Sequence, residues 1–366
     1  MPLPPLPVPH AAFRAVVGAR SRLLGLADRL VPAEAALWDL AAGMQRTKLA
    51  GALVESGIAD ALADGAREPG ELARELSLSE EVTRRVLGAA AAVRLVRLDR
   101  AGRARLSRIG APLARAHRSS LAAWVGYQAA PANVAAHGEL AAQLRGGPEP
   151  SGHRRAFGDS VWEYFAEHRD EAARFAQAMR ELTAIDVAAL ARAYPWPRQG
   201  TICDVAGGIG SLLVEILARR PQAEGVLVDA PDVLAEAEPF LRERGVATRV
   251  ERRPGDLFGE IDASADVYVL KWIMHDWSDR ACVEILGKVR AAMPAGSRVV
   301  TIDQHLEAGR PSPVSSLVDL LMLVECEGGR ERSPGEVQAL MRRCAIEPGR
   351  VRHCGPHMLV EGVAAT

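Results

Sequence analysis

From residue 200 onward, short apolar segments alternate with helical stretches, and this alternation constrains the fold more than any other feature of the chain. The segments span 201–206, 225–229, 248–252, 265–270 and 298–303, with a final pair around 350–354 and 357–363. Strands separated by helices pair in parallel, because the connection must cross back over the sheet. The expected architecture is α/β, with a mostly parallel sheet covered by helices on both faces.

Upstream the periodicity is helical. Apolar residues recur at helical spacing from Phe13 to about Ala63, then over 68–76 and 79–87, where Ser79 is placed to cap a helix with acids in its first turn. An alternating segment at 93–98, a turn at 99–102 and a return strand at 104–106 follow. Three helices and a hairpin in that order predict a winged helix. Residues 111–193 are expected to be helical apart from a loop at 145–150, with one long helix over 171–194. Residues 1–10 are proline-rich and are expected to form an unstructured tail. The 366 residues divide into stretches 1–110, 111–193 and 194–366. That is more than one domain at ~150 residues each.

Hydrophobic residues at 48% and charged residues at 25% exclude collagen, extensive disorder and a disulfide scaffold. The net charge of −1 is a cancellation: residues 1–120 hold 18 basic and 12 acidic side chains (+6), and the remainder 27 and 34 (−7). Ten arginines face one acid, Asp99, over 84–118. A winged helix so charged could bind DNA. However, Ser79-Glu80-Glu81 would point two carboxylates into the groove, so no nucleic-acid partner is expected. The five cysteines form no CxxC pair, which fits a reducing compartment. With no leader pattern and no uncharged apolar run of ~18 residues, a cytoplasmic protein without membrane contact is expected. The apolar faces over 13–63 exceed what one small domain can bury, which predicts a homodimer.

The chemistry-bearing residues sit where the strands end. Asp204-Val-Ala-Gly-Gly-Ile-Gly210 closes the first strand and opens a helix, and its glycines permit close backbone approach to a ligand. Taken alone, it is equally compatible with a structural turn. Asp229 ends the second strand 19 residues beyond Gly210, placed to accept from ribose hydroxyls. The spacing is not GxGxxG, and an acid at the head of the turn favours a cationic group over a pyrophosphate. S-adenosylmethionine (SAM) fits better than a nicotinamide dinucleotide. His275 lies in LKWIMHDWSD after the fourth strand, with Asp303 and Glu331 at comparable positions to fix its tautomer. No His, Cys or carboxylate cluster has metal-ligand spacing.

The ordered set DVAGGIG, LVDAPDV, GDLF, LKWIMHDWSD and GGRERS resembles the SAM-dependent O-methyltransferases of the caffeic acid and acetylserotonin type, including their bacterial natural-product branch. The resemblance covers nearly the whole chain. It implies a Rossmann-like, seven-stranded catalytic domain behind a winged-helix dimerisation domain and a helical lid. It implies SAM as cofactor, S-adenosylhomocysteine (SAH) as product, no metal, and a hydroxylated aromatic or polyketide-like acceptor. By position, His275 matches the base and Asp303 and Glu331 the acids that hold it. Asp229 matches the ribose acid, Asp256 and Leu257 the adenine-side pair, and Lys271 the lysine beside the cofactor. Asp204, Ala206, Gly207, Gly208, Gly210, Ala230 and Phe258 complete that site, with Thr183 near the methionine end. Phe175, Met179, Leu182, Trp272, Met322 and Cys326 match or could line acceptor-pocket walls. Departures are Ala206 for the first glycine of GGGxG, Asp303 where plant members usually have Glu, and apolar Leu182 and Cys326 at positions often polar. Two rival readings stay open: a relative that keeps SAM but hydroxylates or cyclises, and a DNA-binding regulator.

Overall fold

The computed structural model describes residues 9–306 and 311–365. Of the tail expected over 1–10, residues 1–8 lie outside the described residues, and a helix already starts at its last position, His10–Asp28. Two compact units divide the chain. One comprises 1–19, 136–161 and 185–366, and the other 20–135 and 162–184. Within 111–193, residues 136–161 and 185–193 fall in the first unit and 111–135 and 162–184 in the second.

The helical unit holds helices Ala33–Ala41, Gly43–Glu55, Ile58–Ala61, Pro69–Glu75 and Glu80–Ala92, then strands β1 (Val96–Leu98) and β2 (Ala104–Leu106). The strands pair antiparallel, with Arg97 opposite Arg105. Ser79 caps the fifth helix through its side chain, as its sequence position predicts. Leu53, Leu62, Leu72, Leu87, Val96 and Ala104 meet in one apolar core. The two N-terminal helices, His10–Asp28 and Ala33–Ala41, bury no residue, and Leu30, Trp38 and Leu40 are at least three-quarters exposed.

The sheet unit is built on β3 (Gln199–Val205), β4 (Gln222–Asp229), β5 (Val250–Pro254), β6 (Val267–Lys271), β7 (Arg298–Gln304), β8 (Ile346–Cys354) and β9 (His357–Ala364). The spatial order is β5-β4-β3-β6-β7-β9-β8. The first five run parallel, while β9 pairs antiparallel with both β7 and β8. All seven overlap the apolar segments of the sequence, within a few residues at each end. Continuous burial of Val267, Tyr268, Val269 and Leu270 follows from helices covering both faces. Two apolar clusters result, one per face. The chain leaves β3 toward β4 on one side and lies beside β6 on the other. This switch in direction opens a crevice at the carboxyl ends of the central strands.

Candidate active site

The turn after β3 is shaped by steric demand. A Cβ on Gly207 would lie 2.5 Å from the Asp204 carboxyl carbon and 2.7 Å from Leu227, so only glycine fits. Ala206, Gly208 and Gly210 all adopt left-handed φ, of 52°, 62° and 82°. A Cβ on Gly208 would meet nothing within 4 Å: that backbone faces open space. The Gly208 and Ala230 N–H groups each donate to Asp229 at 2.8 Å, which fixes the acid at the end of β4. Gly255 N–H donates to the Asp229 carbonyl, drawing the next loop alongside. In that loop Asp256 is exposed and accepts from Phe258 N–H at 2.8 Å, and Phe258 packs edge-on against Trp277. Leu257 is half-buried.

A buried charge cluster underlies the crevice. Burial pushes the Asp204 carboxyl up to about 7 against the pull of Lys271, and its Oδ2 has no hydrogen-bond partner. Burial draws the Lys271 amine down to about 8, opposed by Asp186, Asp204 and Asp303. The Lys271 Nζ sits 3.3 Å from the centroid of the Trp272 ring. Trp272 itself is held in a left-handed conformation, φ 57°, its backbone N–H donating to the Ile302 carbonyl.

His275 lies in the short 3₁₀ turn Met274–Asp276 that follows β6. Its Nδ1 donates to Glu331 Oε1 at 2.7 Å, both side chains being buried. Its Nε2 therefore faces away from Glu331, with Asp276 Oδ1 at 3.5 Å. Glu331 is held in turn by its own N–H, which donates to Asp319 at 2.8 Å. Burial alone would lower the imidazole pKa; Glu331, then Asp276 and Asp303, overcome it and hold it up to about 10. Asp303 is buried without a hydrogen bond to either oxygen, and burial raises its carboxyl to about 7. Of the two acids expected to hold the imidazole, the structure places only Glu331 in bonding contact. Asp carries one methylene fewer than Glu, and its influence on His275 is through space.

Met322 and Cys326 are buried at the end of helix Pro313–Glu325, and the Cys326 thiol donates to Asp276 at 3.7 Å. Phe175, Met179, Leu182 and Thr183 belong to the helical unit and are partly buried there; Phe175 packs among Tyr127, Trp162 and Phe165. A cleft of about 520 Å³ at the amino ends of β3 and β7, lined by Gln199, Asp266 and Arg298, is remote from His275.

Residues 137–345 match the O-methyltransferase domain family. The chain belongs to this family. It is 34% identical over 336 residues to the mitomycin biosynthesis 6-O-methyltransferase of Streptomyces lavendulae, covering 90% of this chain and 94% of that protein. Identity is also 34% over 351 residues to the O-demethylpuromycin O-methyltransferase of Streptomyces alboniger, covering 94% and 88%. Among solved structures, the mitomycin 7-O-methyltransferase MmcR superposes with a TM-score of 0.84 at 32% identity, covering 91% of this chain and 98% of that one. The SAH-bound methyltransferase of calicheamicin biosynthesis, CalO1, superposes at 0.76 and 31% identity, with the same coverage. This O-methyltransferase uses SAM and acts on small molecules. Among the described residues, no group of three His, Cys, Asp or Glu side chains is arranged to hold a metal ion. No described helix is long and apolar enough to cross a membrane.

Three contributors escaped sequence reading. Asp276 is adjacent to His275 but carried no separate signal. Arg332 is almost fully buried and grips the turn that carries His275; a cation at that point of GGRERS was the available clue. His357 contacts Asp186 through Nε2 across 171 residues of sequence, a pairing no local motif signals. His353 packs against the rings of His10 and His305.

Proposed function

We propose that this enzyme methylates a phenolic or enolic hydroxyl of an aromatic or polyketide-like natural product, with His275 as general base. The observation that carries this is the buried Glu331–His275 bond at 2.7 Å: it uses up Nδ1 and leaves Nε2 to take the acceptor's proton.

The residues at the turn fit the cofactor. Asp229 is already aimed by two backbone N–H groups, as a ribose-binding carboxylate must be. Open space over Gly208 leaves room for a ligand against bare backbone. The buried, unpartnered Asp204 Oδ2 at the head of the turn suits a cationic ammonium. Asp256, Leu257 and Phe258 would flank the adenine, and Lys271 the methionine end. When bound, SAM supplies an electrophilic methyl on a cationic sulfonium, whose charge opposes a second cation on His275.

The protein's own part is to position and deprotonate. A phenol with pKa ~10 stays protonated at neutral pH, so a base at hydrogen-bond distance contributes roughly 10²–10⁴-fold. The imidazole must be neutral to accept the proton, and the acids around it favour the imidazolium. Turnover is therefore expected to rise with pH. Trp272, Met322 and Cys326 are assigned to the acceptor pocket.

We assign the helical unit, a winged helix by element order, to homodimerisation. The support is the exposure of Leu30, Leu37, Trp38 and Leu40, an apolar surface that a second copy would cover. Incubation of the protein with methyl-labelled SAM and a panel of hydroxylated aromatics tests the main reading. Label in the acceptor is expected; label that never leaves the cofactor contradicts it and favours a non-methylating relative.

A further inference from the structure

We infer that Arg332 is a positioning residue for the base: its guanidinium clamps the turn carrying His275 in register with Glu331. This inference rests on the reading of His275 as the base.

Arg332 is 2% exposed, the largest fully buried side chain among the described residues. It lies one residue beyond Glu331, so a single loop, 328–332, carries both the carboxylate on the imidazole and the clamp on the imidazole's backbone. Nη1 donates to the carbonyl of Met274, and Nη2 to that of Trp277 at 2.7 Å. These two carbonyls flank His275. The His275 carbonyl between them accepts from Arg330 N–H at 2.8 Å. The remaining reach of the guanidinium goes to Asp279, from Nε at 2.9 Å and Nη2 at 2.7 Å. Every donor edge of the planar fork is engaged. A lysine ammonium is a point charge that cannot span two carbonyls in this way.

The turn needs such an anchor. Met274–Asp276 is a single 3₁₀ turn with no side-chain cap, and besides Arg332 the carbonyls of Met274 and Trp277 accept from the Cys282 thiol, a weak donor, at 3.2 and 3.5 Å. A shift of the turn by a fraction of an ångström would lengthen the Nδ1 contact to Glu331 and misdirect Nε2. A misplacement of ~1 Å can cost about 10²-fold in rate. The charged groups around the imidazole are Glu331 on the loop, Asp276 beside it and Asp303 on β7. Asp319 holds the Glu331 backbone, and Arg332 is the cation among them.

The test compares wild type with Arg332→Lys, which keeps the charge and loses the fork, and with Asp279→Asn, which loosens the far end of the clamp at a half-exposed carboxylate. The His275 imidazole is titrated by NMR in the cofactor-free protein; SAM affinity is measured by calorimetry, and kcat and acceptor KM with any phenol the wild type methylates. For Arg332→Lys, kcat is expected to fall roughly 10- to 100-fold, with acceptor KM and SAM Kd within about twofold. The imidazole titration is expected to move toward its ordinary value of ~6.5 as Glu331 disengages. Asp279→Asn moves both readouts in the same direction by less, and decides the matter if Arg332→Lys does not fold. An unchanged His275 titration, with activity lost only in proportion to folded protein, overturns the inference. If the wild type methylates nothing, the base reading fails while the titration still decides the clamp.

Discussion

Replacement of Glu331 by Gln removes one charge from the imidazole and leaves the side chain's shape nearly intact. In the wild type, Glu331 Oε1 lies 2.7 Å from His275 Nδ1, both side chains being buried. A hydrogen bond to a charged partner contributes about 1.5–3 kcal/mol. At about 1.36 kcal/mol per pKa unit, its loss lowers the imidazole pKa by roughly 1–2 units from about 10. The sign follows from which form is stabilised: Glu331 favours the imidazolium, so the wild-type base becomes neutral only as pH rises toward that value. The alkaline midpoint of kcat in Glu331→Gln is expected roughly 1–2 pH units lower. The high-pH plateau is expected to fall too, because a less basic and less firmly oriented imidazole abstracts the proton more slowly. The assay is kcat against pH at saturating SAM and acceptor, with NMR titration of His275 alongside. A midpoint that stays in place, or moves to higher pH, refutes the assignment of Glu331 as the group that sets the base.

Gly208→Ala places a methyl in open space at φ 62°. The left-handed conformation costs about 1–2 kcal/mol, so a modest fall in Tm is expected, and calorimetry is expected to show SAM binding weakened well beyond that cost. Glu325 is buried, and burial alone lifts its carboxyl from 4.5 to about 8. Between those values the unfolded chain releases the proton that the folded protein keeps, so stability declines with rising pH by as much as ~5 kcal/mol. Glu325→Gln removes this dependence; urea titrations are expected to show its advantage over wild type growing from pH 5 to pH 8. Trp38 and Leu40 are 80% and 75% exposed on helix Ala33–Ala41. Trp38→Glu with Leu40→Glu is expected to convert a dimer to a monomer in light scattering at micromolar concentration, and a wild-type monomer there would remove the dimer assignment.

The sheet was legible because its signals are local. Each strand is a short apolar run, and parallel pairing with helices on both faces demands that pattern from Thr201 to Asp303. Gly207 and Gly208 were legible because a turn this tight leaves few alternatives, and His275 because it stands at a strand's carboxyl end. What stayed hidden depends on contacts between distant segments. Arg332 becomes a clamp only once the loop after helix Pro313–Glu325 folds against the turn after β6. His357 and Asp186 meet across 171 residues. Asp303 was legible as an acid near His275, but it makes no hydrogen bond, and spacing does not encode a side chain's reach. Residues 111–193 look helical in sequence apart from the loop at 145–150, and only packing separates those that join the sheet unit from those that join the helical one.

The central claim is that His275 removes the acceptor's proton while other residues hold SAM. Measurement of methyl transfer and SAM affinity in His275→Ala tests it most directly. Turnover is expected to fall by roughly 10²–10⁴-fold, the usual contribution of a general base, with SAM Kd within about twofold of wild type. Undiminished turnover, or an equal loss of turnover and SAM binding, contradicts the account.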